Sequence, residues 1–123
     1  MDAKVDYKPR ARRVMLPSRG GEMSVLDFGP ELCTERELAA PDEALPYRDS
    51  SSTSWLNVDG LQDITNLHRL CEAFGLHPLV QEDIVNTHQR PKLEDYQDYL
   101  YLVCRMLTFN ERPQRIESEQ ISL

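Results

Sequence analysis

A chain of 123 residues, 40% hydrophobic and 28% charged, is long enough for one domain with its own core and too short for two. Its 21 acidic against 14 basic residues leave a net charge of −7, which argues against a nucleic-acid binder and suits cations instead. Cys33, Cys71 and Cys104 are odd in number and form no Cys-x-x-Cys pair, so neither a disulfide framework nor a zinc ribbon is indicated and a reducing, cytoplasmic setting fits.

In chain order, residues 1–22 are rich in Arg, Pro and Gly and read as a flexible arm; Arg10, Arg12 and Arg13 form a basic cluster within it. Residues 23–123 then read as one folded unit. Met23 to Phe28 alternates as a strand stopped by Gly29-Pro30, and Leu32 to Leu38 is either a second strand or a weak helix. Pro41 to Leu45 has Pro and acids placed as in a first helical turn. Asp49 to Ser52 is a polar loop, after which Trp55 to Asp59 alternates as a strand ending at Gly60.

Leu61, Ile64, Leu67, Cys71 and Phe74 recur at steps of three or four, which predicts an amphipathic helix over about 62–74, closed by Gly75. A second helix is predicted over about 78–87, opened by Pro78 and barred from continuing by Pro91. Its expected inward residues are Leu79, Val80, Ile84 and Val85, with Gln81, Glu82 and Asn86 toward solvent and Asp83 at the boundary. Tyr99 to Leu107 is almost continuously apolar and reads as a central strand buried on both faces. Asn110 to Pro113 turns the chain into a partner strand over Ile116 to Leu123. The fold class is therefore α/β (α+β), a mixed sheet with helices on its faces, and Leu67, Cys71, Phe74, Val80 and Ile84 should pack on the sheet that holds Tyr99 to Leu107. The last strand reaches Leu123 without a turn residue, so the chain is expected to be a piece of a longer protein, with something downstream covering the open sheet face.

The longest apolar run, Leu100 to Leu107, is broken by Arg105 and falls far short of the roughly 18 residues of a membrane span. The start carries charges with no apolar segment after them, unlike a signal peptide. For chemistry, His68, His77 and His88 form no pair at zinc-ligand spacing, and structural or solvent roles are expected for all three. Ser50, Ser51 and Ser52 lack a Gly-x-Ser-x-Gly elbow, and no phosphate-cradling Gly-rich loop is present, so no enzyme is predicted. What survives is Glu82-Asp83, two adjacent acids on an otherwise apolar helix. Mg²⁺ takes oxygen ligands and retains several waters, so two carboxylates suffice for half a site.

Four segments carry a family resemblance. They are Trp55-Leu56-Asn57-Val58-Asp59-Gly60, Phe74 to Val80 with Glu82-Asp83-Ile84, Asn86-x-x-Gln89-Arg90-Pro91-Lys92-x-Glu94, and Glu117-Ser118-Glu119-Gln120. In order and spacing, over roughly residues 45–123, the chain resembles the N-terminal cytoplasmic domain of the CorA family of divalent cation transporters.

The resemblance implies a homopentameric Mg²⁺ channel in the cell membrane, often passing Co²⁺ or Ni²⁺. A stalk helix, two membrane helices and a Gly-Met-Asn motif would lie outside this chain, which alone is expected to be a monomer or weak oligomer. It also implies that Asp83 meets an Asp on the neighbouring subunit's stalk across a regulatory metal, that Glu82 serves a second ion nearby, and that the domain senses cytosolic cations to gate the pore. On that basis Asp83 is expected to have no partner within this chain. Gln89 to Lys92 is expected to fix the loop rather than meet the ion, since a cation there opposes binding. Alternatives are a zinc- or cobalt-handling relative of the same fold, and a metal-dependent hydrolase using Glu82, Asp83 and a His.

Overall fold

The structure is a computed structural model that describes residues 23–123; the expected N-terminal arm, with Arg10, Arg12 and Arg13, lies outside the described residues. The α/β class holds, with the β part divided into two three-stranded antiparallel sheets rather than one mixed sheet. In the first, β1 (Met23–Phe28) lies between β2 (Cys33–Leu38) and β3 (Thr53–Val58). In the second, β5 (Leu100–Glu111) lies between β4 (Lys92–Asp95) and β6 (Gln114–Ser122). A 3₁₀ turn at Pro41–Ala44 runs into the one-turn helix α1 (Leu45–Arg48), and α2 (Ile64–Ala73) and α3 (Pro78–Val85) connect the sheets. Leu32 to Leu38 thus resolves as a strand, because Gly29-Pro30 turns it back along β1, with Val25 opposite Arg36.

The two helices start and stop where their chemistry dictates. Asp63 caps α2 by accepting from the Asn66 N–H at 3.0 Å. At the other end Gly75 takes φ +68°, so that its N–H reaches Glu72 O and the Leu76 N–H reaches Cys71 O, which closes the helix in a Schellman motif. Three residues later Pro78 opens α3, with His77 as N-cap: its Nδ1 accepts from the Leu79 N–H at 3.1 Å.

Two apolar clusters share α2. Leu67 and Cys71 pack with Val80 and Ile84 of α3 and with Tyr101 and Val103 of β5. Leu70, on the adjoining face of the same helix, packs with Val25, Leu38, Ala44 and Leu56 of the first sheet, and Phe74 joins that group. Phe74 was expected on the sheet of β5; it lies on the other because the three residues from Cys71 to Phe74 rotate the position about 300° around the helix, away from the Leu67–Cys71 stripe.

β5 also departs from expectation. Tyr101 and Val103 are buried under the helices, whereas Leu102 and Cys104 on the opposite face are half-buried, and Leu107 is 68% exposed. The strand is therefore buried on one face and only in its first half, because α2 and α3 together are too short to cover a strand of 12 residues. β4 is an element that the pattern of apolar residues did not reveal. Its charges, Lys92 and Glu94, lie on the side of Val103 and Tyr101, while Leu93 is exposed.

Candidate cation site

On α3, Val80 and Ile84 are four apart and form the buried stripe. Asp83 lies three residues after Val80, at the flank of that stripe, and its side chain is 23% exposed. Glu82, about 100° further round, is exposed and makes no side-chain ion pair among the described residues. The adjacent acids therefore sit in unlike environments and share no common partner.

Asp83 is already paired. Lys92 Nζ donates to Asp83 Oδ2 at 2.5 Å and also contacts the Glu94 carboxylate. The ammonium stands 5.6 Å from the centre of the Tyr101 ring, close enough for a cation–π contact. Glu94 in turn accepts from the Tyr96 hydroxyl at 2.8 Å. The hydrogen bonds to Asp83 and then Glu94 raise the Lys92 pKa well above its ordinary value. Glu94 is held below its ordinary value by Lys92 first and Tyr96 second. The same carboxylate pushes the Tyr96 phenol up to about 12. The expectation that Asp83 has no partner in this chain is thus corrected: Lys92, the last residue of the segment expected to fix the loop, pairs with it. The cause is the inverted polarity of β4, which turns Lys92 toward the helix.

The backbone around Asp83 is held from two strands. Gln120 of β6 donates from Nε2 to the Asp83 carbonyl at 3.1 Å and accepts from the Gln89 N–H at 3.0 Å. Arg105 of β5 donates to the carbonyls of Thr87 and Gln89, both at 2.9 Å. At the other end of α3, the His77 N–H donates to the Tyr99 hydroxyl at 2.8 Å, and Tyr96 stacks on Tyr99 with centroids 5.1 Å apart. The second sheet thus fixes the helix at both termini.

Gln81 and Leu79 exchange the places expected of them: Gln81 is buried and Leu79 is exposed. The Gln81 amide donates to Leu76 O at 3.0 Å, which leaves its Oε1 to accept from His68 Nδ1 at 2.9 Å. Burial costs little once both amide ends are satisfied. His68 is therefore a half-buried link between α2 and α3 rather than a residue of the exposed side, while His77 caps α3 and His88 is exposed in the following loop. Cys33, Cys71 and Cys104 are all free thiols; burial pushes Cys71 up to about 11, a packing residue rather than a nucleophile.

Among the described residues, no group of three or more His, Cys, Asp or Glu side chains is placed to hold a metal ion. Asp83 and Glu82 offer hard oxygen donors of the type Mg²⁺ takes, but too few of them for a complete site within one chain.

A family model described as CorA-like Mg²⁺ transporter protein matches residues 50–123, the span from the loop before β3 through β6. This chain belongs to the CorA family. The cobalt/magnesium transport protein CorA of Thermotoga maritima is 40% identical over 102 residues, covering 83% of this chain and 29% of that protein. A candidate metal ion transporter of Schizosaccharomyces pombe is 35% identical over 68 residues, 55% of this chain and 10% of its own length. The chain thus spans less than a third of the length of either relative. Among the described residues no helix is long and apolar enough to cross a membrane. The CorA match includes α3, the loop after it and β4, so Glu82, Asp83, Lys92, Glu94 and Gln120 all lie within the shared region.

Proposed function

We propose that this chain is a cytoplasmic regulatory domain of a CorA-type Mg²⁺ and Co²⁺ transporter, with Asp83 as principal cation ligand and Glu82 as auxiliary. The transport class rests on the family match and on the name of the Thermotoga relative. The observation that supports the site is that the Asp83 carboxylate already pairs with a positive charge, the Lys92 ammonium at 2.5 Å. A helix fixed at both ends presents that carboxylate with little conformational freedom, so little ordering remains to be done on binding.

In this reading the chain supplies half of each site, and carboxylates of a neighbouring protomer in a homopentamer supply the rest. A divalent cation, Mg²⁺ foremost, contributes the positive charge that lets facing carboxylates stay close. Asp83 and Glu82 hold it weakly because they are few, which matches a sensor that must respond near millimolar levels. Without that charge the acids of adjoining protomers repel, and the assembly shifts toward a second arrangement. Membership of a transporter family favours this reading over a metal-dependent hydrolase.

The test is limited proteolysis of the full-length transporter across a Mg²⁺ titration. Asp83→Ala should weaken Mg²⁺ protection, and Glu82→Ala should do so to a smaller extent. Wild-type protection in the Asp83→Ala protein would sink the sensor assignment.

A further inference from the structure

Lys92 is placed where a metal ligand set would want no cation. It stands on β4 opposite Val103, turned toward α3, and its ammonium lies between Asp83 and Glu94. Its side chain is 29% exposed and those of Asp83 and Glu94 are 23% and 35% exposed, so water and ions reach the rim of all three. Glu94 is itself steadied by the Tyr96 hydroxyl, and the Lys92 ammonium stands 5.6 Å from the centre of the Tyr101 ring.

We propose that Lys92 is a tethered competitor for the Asp83 carboxylate, and that Glu94 is the place to which its ammonium withdraws when Asp83 is given to a divalent cation. This rests on the reading of Asp83 as a cation ligand. A single charge shared by two carboxylates is not lost when one of them is taken. Lys92 on Glu94 alone remains paired, so its release from Asp83 leaves no isolated half-buried ammonium. A tethered ammonium is also present at fixed effective concentration, whereas free cations vary. Lys92 therefore sets a threshold: Asp83 yields only when the divalent cation is abundant enough to outcompete it. Glu94 tunes that threshold, because a stronger hold by Glu94 frees Asp83 more readily.

The prediction has opposite signs at two neighbouring residues, which a purely structural ion pair would not produce. In the full-length protein, the Mg²⁺ concentration for half-maximal protection from proteolysis should fall about tenfold in Lys92→Met, which keeps an unbranched side chain of similar length and removes the charge. It should rise in Glu94→Gln, which leaves Lys92 with Asp83 alone. Asp83→Asn is measured alongside. An unchanged midpoint in Lys92→Met, with a shifted one in Asp83→Asn, overturns the competition while leaving the sensor reading in place. Unchanged midpoints in both remove the sensor reading as well. Should Lys92→Met fail to fold, Glu94→Gln decides alone, and a midpoint that stays or falls overturns the proposal.

Discussion

Lys92 reaches back nine residues to place its ammonium 2.5 Å from the Asp83 carboxylate, joining the last turn of α3 to the edge strand β4. Through Glu94 and the Tyr96 hydroxyl the contact continues along β4 to the turn after it. The acid singled out by the family resemblance is thus embedded in the chain's own electrostatics before any other ligand is considered.

Stability of the chain should therefore depend on Asp83. Asp83→Ala should cost about 1 kcal/mol in urea denaturation without metal, the range for a partly exposed pair. A double-mutant cycle with Lys92→Met should return a coupling of similar size. Additive effects of the two substitutions would show that the contact contributes nothing.

Asp83→Lys should not act as a built-in substitute for a bound cation. It sets a second ammonium beside Lys92 with only Glu94 to neutralise both, and like charges at such range are unfavourable. The variant should unfold at lower urea than Asp83→Ala. Equal midpoints for the two variants would mean that the new ammonium escapes to solvent.

Stability should be level from about pH 5 to about pH 9 and fall on either side. On the acid side Glu94 is depressed in the folded state, so its contribution is present above its ordinary 4.5 and is lost as pH drops through the lower folded value. On the alkaline side Tyr96 is raised from 10.0 to about 12 when folded, so its contribution is complete below 10 and is lost as pH climbs toward 12. Denaturant midpoints across pH should show both limbs, and Tyr96→Phe should reduce the alkaline one while leaving the part due to Cys71 and Lys92, which are also raised in the folded state.

Gln120 holds the Asp83 carbonyl and the Gln89 N–H from β6. Gln120→Ala should cost about 1 to 2 kcal/mol. Amide exchange at Gln89 and proteolysis between residues 86 and 91 should both accelerate. Unchanged exchange at Gln89 would show that Arg105 alone suffices to hold the loop.

Within the core, Leu70→Ala should cost about 2 to 5 kcal/mol because Leu70 is 1% exposed, and Phe74→Ala should cost less because Phe74 is only half-buried. Thermal or chemical unfolding of the two variants gives the order directly. The reverse order would place Phe74 more centrally than its exposure indicates.

The elements whose apolar residues follow one period were legible in the sequence: β1, β3, α2 and the β5–β6 hairpin appear where alternation and helical spacing put them. The acids of α3 were legible too, including Asp83 at the edge of the buried stripe. What escaped depended on partners distant in sequence. Gln81 is buried by His68, 13 residues away, and no local pattern announces that a polar side chain will find both its hydrogen bonds inside. β4 escaped because Lys-Leu-Glu-Asp turns Lys92 and Glu94 inward and Leu93 outward, which reverses the usual amphipathic strand. The apolar run in β5 indicated a strand but not how much of it the short helices could cover.

One helix, α2, closes both apolar clusters: Leu67 and Cys71 serve one, Leu70 the other. Neither sheet can lose it without baring the other, so the two halves should melt as one cooperative transition rather than as separable parts. For an element that adjoins the α3 acids and meets α3 through the His68–Gln81 hydrogen bond, this shared allegiance means that a disturbance at the candidate site reaches the first sheet through the packing of a single helix.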